Sequence, residues 1–480
     1  MFSLLCCCCF SWKVYEEGVP HCLEADTPPV DETFSLSKLT EFGLTALRGL
    51  SPLKSLCLLF AEYTMNNWMK DSFFGSQFLN GLNPMVIRRI DSLPKNLSVK
   101  DDMKGNIFLC DYTILEGVEA NTINGKKQYL TAPLVLLHKN QKDEMMPIAI
   151  QQKPGEDNPV FFPSDSESDW LLAKLYVKSA DFNLHELNYH LLRTHLLAEV
   201  FAVSLKRNLP RVHPVHKILI RHTHDTLFIN ILARRDLISK DGIFTKVSSG
   251  GEGMITLLGK SLSNLTYSSL CIPDDIKDRG LGDVKNFYYK EDGLKLWEII
   301  IKKETQHFFK YKRRLIYKNL KVMQVFVPSS EIPQCFETKE ELFKFVTMVM
   351  FTCSAQHSAV NTGQYDFYGW MPNGPSTMQE PHHQKKGTVT ETTIIKALPD
   401  IPVIIESMAT IWLLSMQAHD SSFLPDFKQK YFTENIPCDK IRIFQERLLK
   451  LSKEIKRRNK CLGLSYTYLD PKLVENSVSI

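Results

Sequence analysis

Between Asp181 and Val200 the chain reads DFNLHELNYHLLRTHLLAEV, an apolar helical stretch carrying His185, His190 and His195 at five-residue intervals. On an α-helix a step of five turns a side chain by roughly 140° from its predecessor, which scatters the three rings around the axis. Histidines of one helix that share a metal usually stand four apart, because that step returns to the same face. A spacing of five does so only through a π-type turn, whose i→i+5 bonding brings such a pair back together. Two readings are open. Either one or two of these are packed core histidines and another is exposed, or the helix is locally π-wound and two rings face one metal ion.

A second apolar helical run begins near Leu342. It carries Cys353-Ser-Ala-Gln-His-Ser-Ala-Val-Asn-Thr-Gly-Gln364, in which His357 and Asn361 stand four apart and share a face. The sequence closes on Val474-Glu-Asn-Ser-Val-Ser-Ile480, apolar and without a charged tail.

The 480 residues are 44% hydrophobic, enough for a large core, and on length alone suggest two or three domains or one unusually large one. A net charge of +4 is too weak a bias to imply nucleic acid as a partner. Of 12 cysteines, Cys6 to Cys9 are consecutive and the others are scattered without a CxxC pair, so a reduced, cytoplasmic protein is expected. Residues 1–11 form an apolar, cysteine-rich segment, too short to span a bilayer and without the layout of a signal peptide. Its cysteines invite S-acylation, which with a second signal would hold the chain on a membrane. The alternative, a start foreign to the fold, is the reading we favour.

From Leu36 to Met69 the pattern is amphipathic and helical, with a break at Gly43, Gly49 and Pro52. Phe73 to Pro84 carries turn chemistry at Asn80-Gly81 and Asn83-Pro84. Strands are expected in NIFLCDYTIL, QYLTAPLVLLH and MPIAIQQ, with a turn at Asn124-Gly125, and then a connecting loop through QKPGEDNPVFFPSDSES. Most of the remaining sequence, from Trp170 onward, reads as helical. The expected fold is therefore mainly α, one large helical domain with a small β-sheet near its start. His213, His216, His222 and His224 show HxxH and HxH spacings, but Pro210 and Pro214 interrupt the helix there and no carboxylate cluster joins them. A second metal site is therefore not adopted. Asp274-Asp275 after Pro273 reads as a helix start, and His382-His383 as part of a solvated polar loop.

Three patterns taken together are specific: H-E-x3-H-x4-H from His185, Q-H-x3-N-x2-Q from Gln356, and the closing ENSV-x-Ile. With WKVYEEGVPHCLEADTPP, FFGSQFLNGLNPMVIRR, PSDSESDWLLAKLYV, TYSSLCIPDDIKDRGL, WMPNGPSTM and SYTYLDPKLVENSVSI they cover nearly the whole chain from Trp12. This resembles an animal lipoxygenase, in the group that includes the epidermis-type and second-type 15-lipoxygenases. The resemblance implies that residues 12–480 are a lipoxygenase-type catalytic domain. It also implies a preceding β-sandwich domain in relatives, of which no strand pattern is read before Trp12. Residues 302–330 depart from the family, being basic and shorter, and we read them as foreign sequence rather than as a lineage-specific surface.

By resemblance, His190, His195 and His357 are iron ligands, Asn361 is the variable fourth side-chain ligand, and Ile480 gives its terminal carboxylate. His185 is not a ligand. Neutral imidazoles with a carboxylate suit one non-haem iron per chain, with a position left for water. Zinc would accept the same groups, yet a carboxamide and a terminal carboxylate are poor parts for a closed structural site. Glu186 and Gln364 are expected to link the two metal helices and orient the ligands. No catalytic side chain is expected beyond the metal-bound hydroxide. Leu237 matches a leucine over the substrate's bend, Ala233 the small residue that governs oxygen access, and Leu232 a position where some relatives have an arginine for the fatty-acid carboxylate.

The implied reaction is insertion of O2 into polyunsaturated fatty acids with a cis,cis-1,4-diene, giving hydroperoxides. A hydroperoxide isomerase using the same iron, and an inactive truncated protein, are the competing readings. Peripheral contact with membranes is a further expectation, and nucleic acid is not an expected partner.

Overall fold

The structure, a computed structural model, describes residues 33–50, 61–93, 103, 105–308, 332–333, 336–417, 421–427 and 431–480. The expectations for residues 1–11, for the lead-in to residue 32 and for residues 309–330 lie outside that set. Residues 302–308 continue the helix Tyr288–Phe308.

Near the start sit the seven short strands β1 (Ile87–Arg89), β2 (Ile107–Asp111), β3 (Thr122–Ile123), β4 (Lys126–Lys127), β5 (Leu134–Lys139), β6 (Met145–Gln151) and β7 (Val160–Phe161). Five form one antiparallel sheet in the order β1-β2-β5-β6-β7. Its register sets Leu109 opposite Leu136 and Cys110 opposite Val135, and a bulge between Leu136 and Leu137 bends the β5–β6 pair. β3 and β4 form a hairpin whose turn residues Asn124 and Gly125 have φ of 51° and 77°. Both are left-handed, as a type I′ turn requires.

The expected sheet is present, and two strands join it that sequence reading did not separate from loop, β1 and β7. Phe73 to Asn80 is also more than a turn. It lies in the helix Asp71–Asn80, which ends against Gly81. That helix packs on β6 so closely that a Cβ at Gly75 would stand 1.8 Å from the Met145 carbonyl oxygen. The glycine is a consequence of the contact.

The rest is helical and is arranged around one continuous helix, built of Glu167–Leu184, His185–Leu196 and Leu197–Asn208. Ser166 caps its start, accepting from Asp169 N at 3.2 Å. From Asp169 to Leu205 only Leu171, Tyr189 and Arg193 are less than fully buried. A helix buried on every side carries no polar face, so each charge on it needs a partner from a neighbouring element. Lys174 pairs with Asp71 at 2.6 Å, and Asp181 accepts from Asn83 at 2.7 Å and from Tyr112 at 2.8 Å. Lys178 lies over the rings of Phe74 and Phe78, and burial pushes its ammonium down to about 8.

Asp274 and Asp275 do lie in the first turn of a helix, Ile272–Asp278. Among the described residues no single helix is long and apolar enough to cross a membrane, although the bent pair Glu391–Ala397 and Ile401–Ser415 passes that test jointly. Gly75→Ala should destabilise the domain by about 1–3 kcal/mol through overpacking, read as a lowered urea midpoint at unchanged slope. Unaltered stability would mean that the helix is free to lift off β6.

Candidate metal centre

The five-residue spacing is resolved by the backbone. His185–Leu196 is π-helical, so the wider turn returns His195 to the face of His190. Their ring centroids are 4.9 Å apart and their Nε2 atoms 3.2 Å apart. A second π-turn, Thr352–Gln356, precedes the helix His357–Asn361. It delivers His357 to ring-centroid distances of 5.4 Å from His190 and 5.0 Å from His195. One ligand atom from each of these three buried histidines lies within 4.8 Å of the others. The main-chain oxygen of Ile480 joins them, 3.1 Å from His357 Nε2.

The neighbours of these rings decide where their protons sit. Burial alone would raise Glu186, but the charges and hydrogen bonds of His185 and His190 outweigh it and hold the carboxyl at about 2. Glu186 is therefore ionised, and it faces His190 Nδ1 at 3.1 Å. That nitrogen donates to the carboxylate, and in the neutral form of the ring the lone pair is on Nε2. His195 Nδ1 faces Asn230 Oδ1 at 3.1 Å. The amide cannot be reversed, because Asn230 Nδ2 already donates at 2.8 Å to both His195 O and Glu199 Oε2. Hence His195 also keeps its proton on Nδ1.

Burial, and then the neighbouring His190 charge, push His195 down to about 3, and His357 is lowered well below its usual value by burial and by the charges of His195 and His190. His195 and His357 are thus held neutral, and with both Nδ1 atoms turned to other partners the Nε2 atoms of His190 and His195 face each other across 3.2 Å. Two lone pairs so placed repel. A cation bound by both turns the repulsion into two ligand bonds, of about 2 Å each for a first-row ion. The residues present fit a metal.

Asn361 is buried one turn beyond His357, and its Oδ1 accepts from Gln364 Nε2 at 2.6 Å. Glu186 and Gln364 are each tied to one candidate ligand but not to one another; Glu186 Oε1 lies 3.4 Å from His185 Nδ1, and Gln364 Oε1 is buried without a hydrogen bond. The direct link between the two metal helices is made by His185 instead, whose Nε2 lies 2.8 Å from Val360 O. This explains a histidine in the motif that is not in the cluster. Leu232 and Ala233 lie on the helix Thr226–Asp236 and Leu237 caps its end. Ala233 is buried, and Leu232 and Leu237 are half-buried against the core.

The same helix carries Asn230, which sequence reading missed, as it missed the buried Glu199 and its half-buried partner Arg234 at 2.8 Å. The only local signal was a polar residue in the apolar run TLFINILA. A narrow cleft lined by Lys38, Phe42, Leu413 and Met416 reaches Ser479 and Ile480.

The fold and the cluster define a helical protein with three histidines that could hold one metal ion, buried where a π-wound central helix meets a second helix. Comparisons with known proteins give this class its family. Residues 107–465 match the family model described as Lipoxygenase. The polyunsaturated fatty acid lipoxygenase ALOX15B of Rattus norvegicus is 39% identical over 98% of this chain and 78% of its own length. The human hydroperoxide isomerase ALOXE3 is 41% identical over 87% of this chain and 63% of its own length. A calcium-dependent 11R-lipoxygenase of known structure superposes with a TM-score of 0.90 at 33% identity, over 98% of this chain and 78% of that one. The chain belongs to the lipoxygenase family, enzymes of the dioxygenase type.

The lowered histidines have a consequence for the metal-free protein. Between pH ~6.5 and ~3 an unfolded His195 takes up a proton that the folded protein refuses. Stability from this group is present above 6.5 and lost as the pH falls. His195→Gln should flatten the decline in unfolding free energy between pH 7 and pH 5 by up to ~1.4 kcal/mol per pH unit, measured by urea unfolding at each pH. Parallel profiles would show that His195 accepts its proton in the folded state.

Proposed function

We propose that the chain is a non-haem iron dioxygenase that inserts O2 into polyunsaturated fatty acids carrying a cis,cis-1,4-diene. The observation that carries this is the pair of Nε2 atoms, 3.2 Å apart and joined by His357 and the Ile480 oxygen, in a buried cluster whose three histidines can each turn one ligand atom to a common ion. His190, His195, His357 and the Ile480 oxygen hold the iron, with Asn361 as a weaker fifth contributor because its Oδ1 is shared with Gln364. When bound, iron supplies the one-electron chemistry by which a hydrogen atom leaves the doubly allylic carbon. The ionised Glu186 and the fixed amide of Asn230 keep the ring protons on Nδ1 throughout, so that His190 and His195 stay oriented.

The apolar residues around the site hold the diene and exclude water, and they select the radical end that meets O2. Leu237 bounds the bend of the chain and Ala233 the oxygen path. With Leu232 in place of an arginine, the fatty-acid carboxylate finds another contact or the substrate enters tail first. Ala233 stands one turn beyond Asn230 on its helix, which ties the proposed oxygen path to the residue that orients His195.

Metal analysis of purified protein tests the reading first. One iron per chain is expected, lost in His190→Ala and His357→Ala and kept in His185→Ala. Protein without metal would instead be the inactive relative. Incubation with linoleate and, separately, with its hydroperoxide then distinguishes the dioxygenase from the isomerase, the activity named for the ALOXE3 relative.

Product handedness depends on Ala233. The two ends of a pentadienyl radical are chemically almost alike, so ~1.4 kcal/mol of differential barrier gives a tenfold preference. Wild type should give mainly an S hydroperoxide at the distal end, and Ala233→Gly should move product towards R at the nearer end, resolved by chiral-phase chromatography. The same product from both proteins would place the control of oxygen elsewhere.

A further inference from the structure

The segment that ends on Ile480 is held from two sides. On one side Leu424 N donates to Val474 O at 2.9 Å and Asn476 N to Ser422 O at 2.8 Å, with Phe423 and Glu475 paired antiparallel. On the other stand Arg221 and His222, in the histidine-rich stretch for which sequence reading found no role. Asn476 is where the two sides meet. Its Nδ2 donates to Phe423 O at 2.8 Å and its Oδ1 accepts from Arg221 Nη2 at 2.8 Å. Its main-chain oxygen lies 2.8 Å from His222 Nδ1.

His222 is fully buried, and burial together with the Arg221 charge pushes it down to about 3, so the ring is neutral. Its single proton faces the Asn476 oxygen, which makes Nδ1 the donor. Further along, Thr226 Oγ1 reaches Val478 O at 3.4 Å, and Ser479 Oγ donates to Glu475 Oε2 at 2.9 Å. The segment has little freedom left by the point at which its last main-chain oxygen comes to 3.1 Å from His357 Nε2. An oxygen at the end of a loose segment would have to give up backbone freedom on binding a cation. One that is already tied down gives up almost none, and the affinity of the site is raised by that pre-organisation.

We infer that Asn476 is a positioning residue of the metal centre: held by Arg221, His222 and the 422–423 main chain, it sets the Ile480 oxygen where a cation bound by His190, His195 and His357 can take it as a ligand. This rests on the cluster being a metal site. It gives Arg221 and His222 a task that neither has through direct contact with the centre.

The test is titration of metal-free protein with cobalt(II), whose visible absorption reports how many ligands surround it. Wild type should bind one ion per chain. Asn476→Ala should bind at least tenfold more weakly, with the altered absorption of an ion that has lost a ligand, while the metal-free forms unfold at similar temperatures. His222→Asn keeps an amide donor near the place of Nδ1 and should stay within about threefold of wild type, whereas His222→Leu should weaken binding as Asn476→Ala does. This pair decides the matter if Asn476→Ala does not fold. Wild-type affinity and spectrum in Asn476→Ala, or equal behaviour of His222→Asn and His222→Leu, would overturn the inference and leave the metal centre standing. A wild-type protein that takes up no cobalt would overturn the metal centre and the inference with it.

Discussion

Nε2 of His190 and Nε2 of His195 face each other across 3.2 Å inside a helix that is buried on almost every side. An α-helix cannot place residues five apart in that way, so the backbone widens to a π-helix over His185–Leu196. Two neutral rings this close offer both lone pairs to a cation only if each proton is held on the far nitrogen. Glu186 does this for His190 and Asn230 for His195. The two holders differ in kind. Glu186 is an ionised carboxylate from the same helix, whereas Asn230 is a neutral amide whose direction is fixed by His195 O and by Glu199. Replacing either holder by an apolar residue would free the ring to turn its proton towards the other histidine.

The requirement for burial spreads outward from this pair. A dry site keeps imidazoles neutral, but it also desolvates every other polar group on the central helix. Lys174, Asp181 and Glu199 are each met by a residue from another element: Asp71 and Asn83 from the two ends of the helix Asp71–Asn80 and its exit, Tyr112 from the end of β2, Arg234 from the helix of Ala233. The small sheet and the helix Asp71–Asn80 therefore do more than cover apolar surface. They supply the partners without which the buried charges would cost several kcal/mol each.

Such pairings explain what the sequence disclosed and what it withheld. The spacing of His185, His190 and His195 carried its own geometry, because five residues on one helix leave only the α and π alternatives. His357 and Asn361 were legible for the same reason, and the strands around Leu136 and Ile148 by their apolar runs. β1 and β7 were not, being three and two residues long and defined only by the strands beside them. Asn230 and Arg234 gave no pattern because their partners, His195 and Glu199, lie more than thirty positions away. The role of His185 was hidden likewise. Its resemblance to a non-ligand was informative about the metal, but the bond to Val360 O belongs to the tertiary structure.

The centre draws on residues 190, 195, 357 and 480, so it exists only when the whole domain has closed. Before folding, the local pairs His190–His195 and His357–Asn361 and the residue Ile480 are separated from one another by well over a hundred residues. A metal that binds this set and not its scattered parts stabilises the folded chain by linkage, about 2.7 kcal/mol when free metal is a hundredfold above its dissociation constant. In that role it joins three elements at one point: the π-wound helix, the helix after the second π-turn, and the end of the chain. The protein's own version of the same junction is already built. His185 to Val360 O ties the first two, and Asn476 with His222 and Arg221 ties the third to the helices beside it. The metal is thus asked to complete a geometry that hydrogen bonds have set. It need not gather the ligands, because the gap between His190 and His195 is already set by the π-wound helix and by the partners of their Nδ1 atoms.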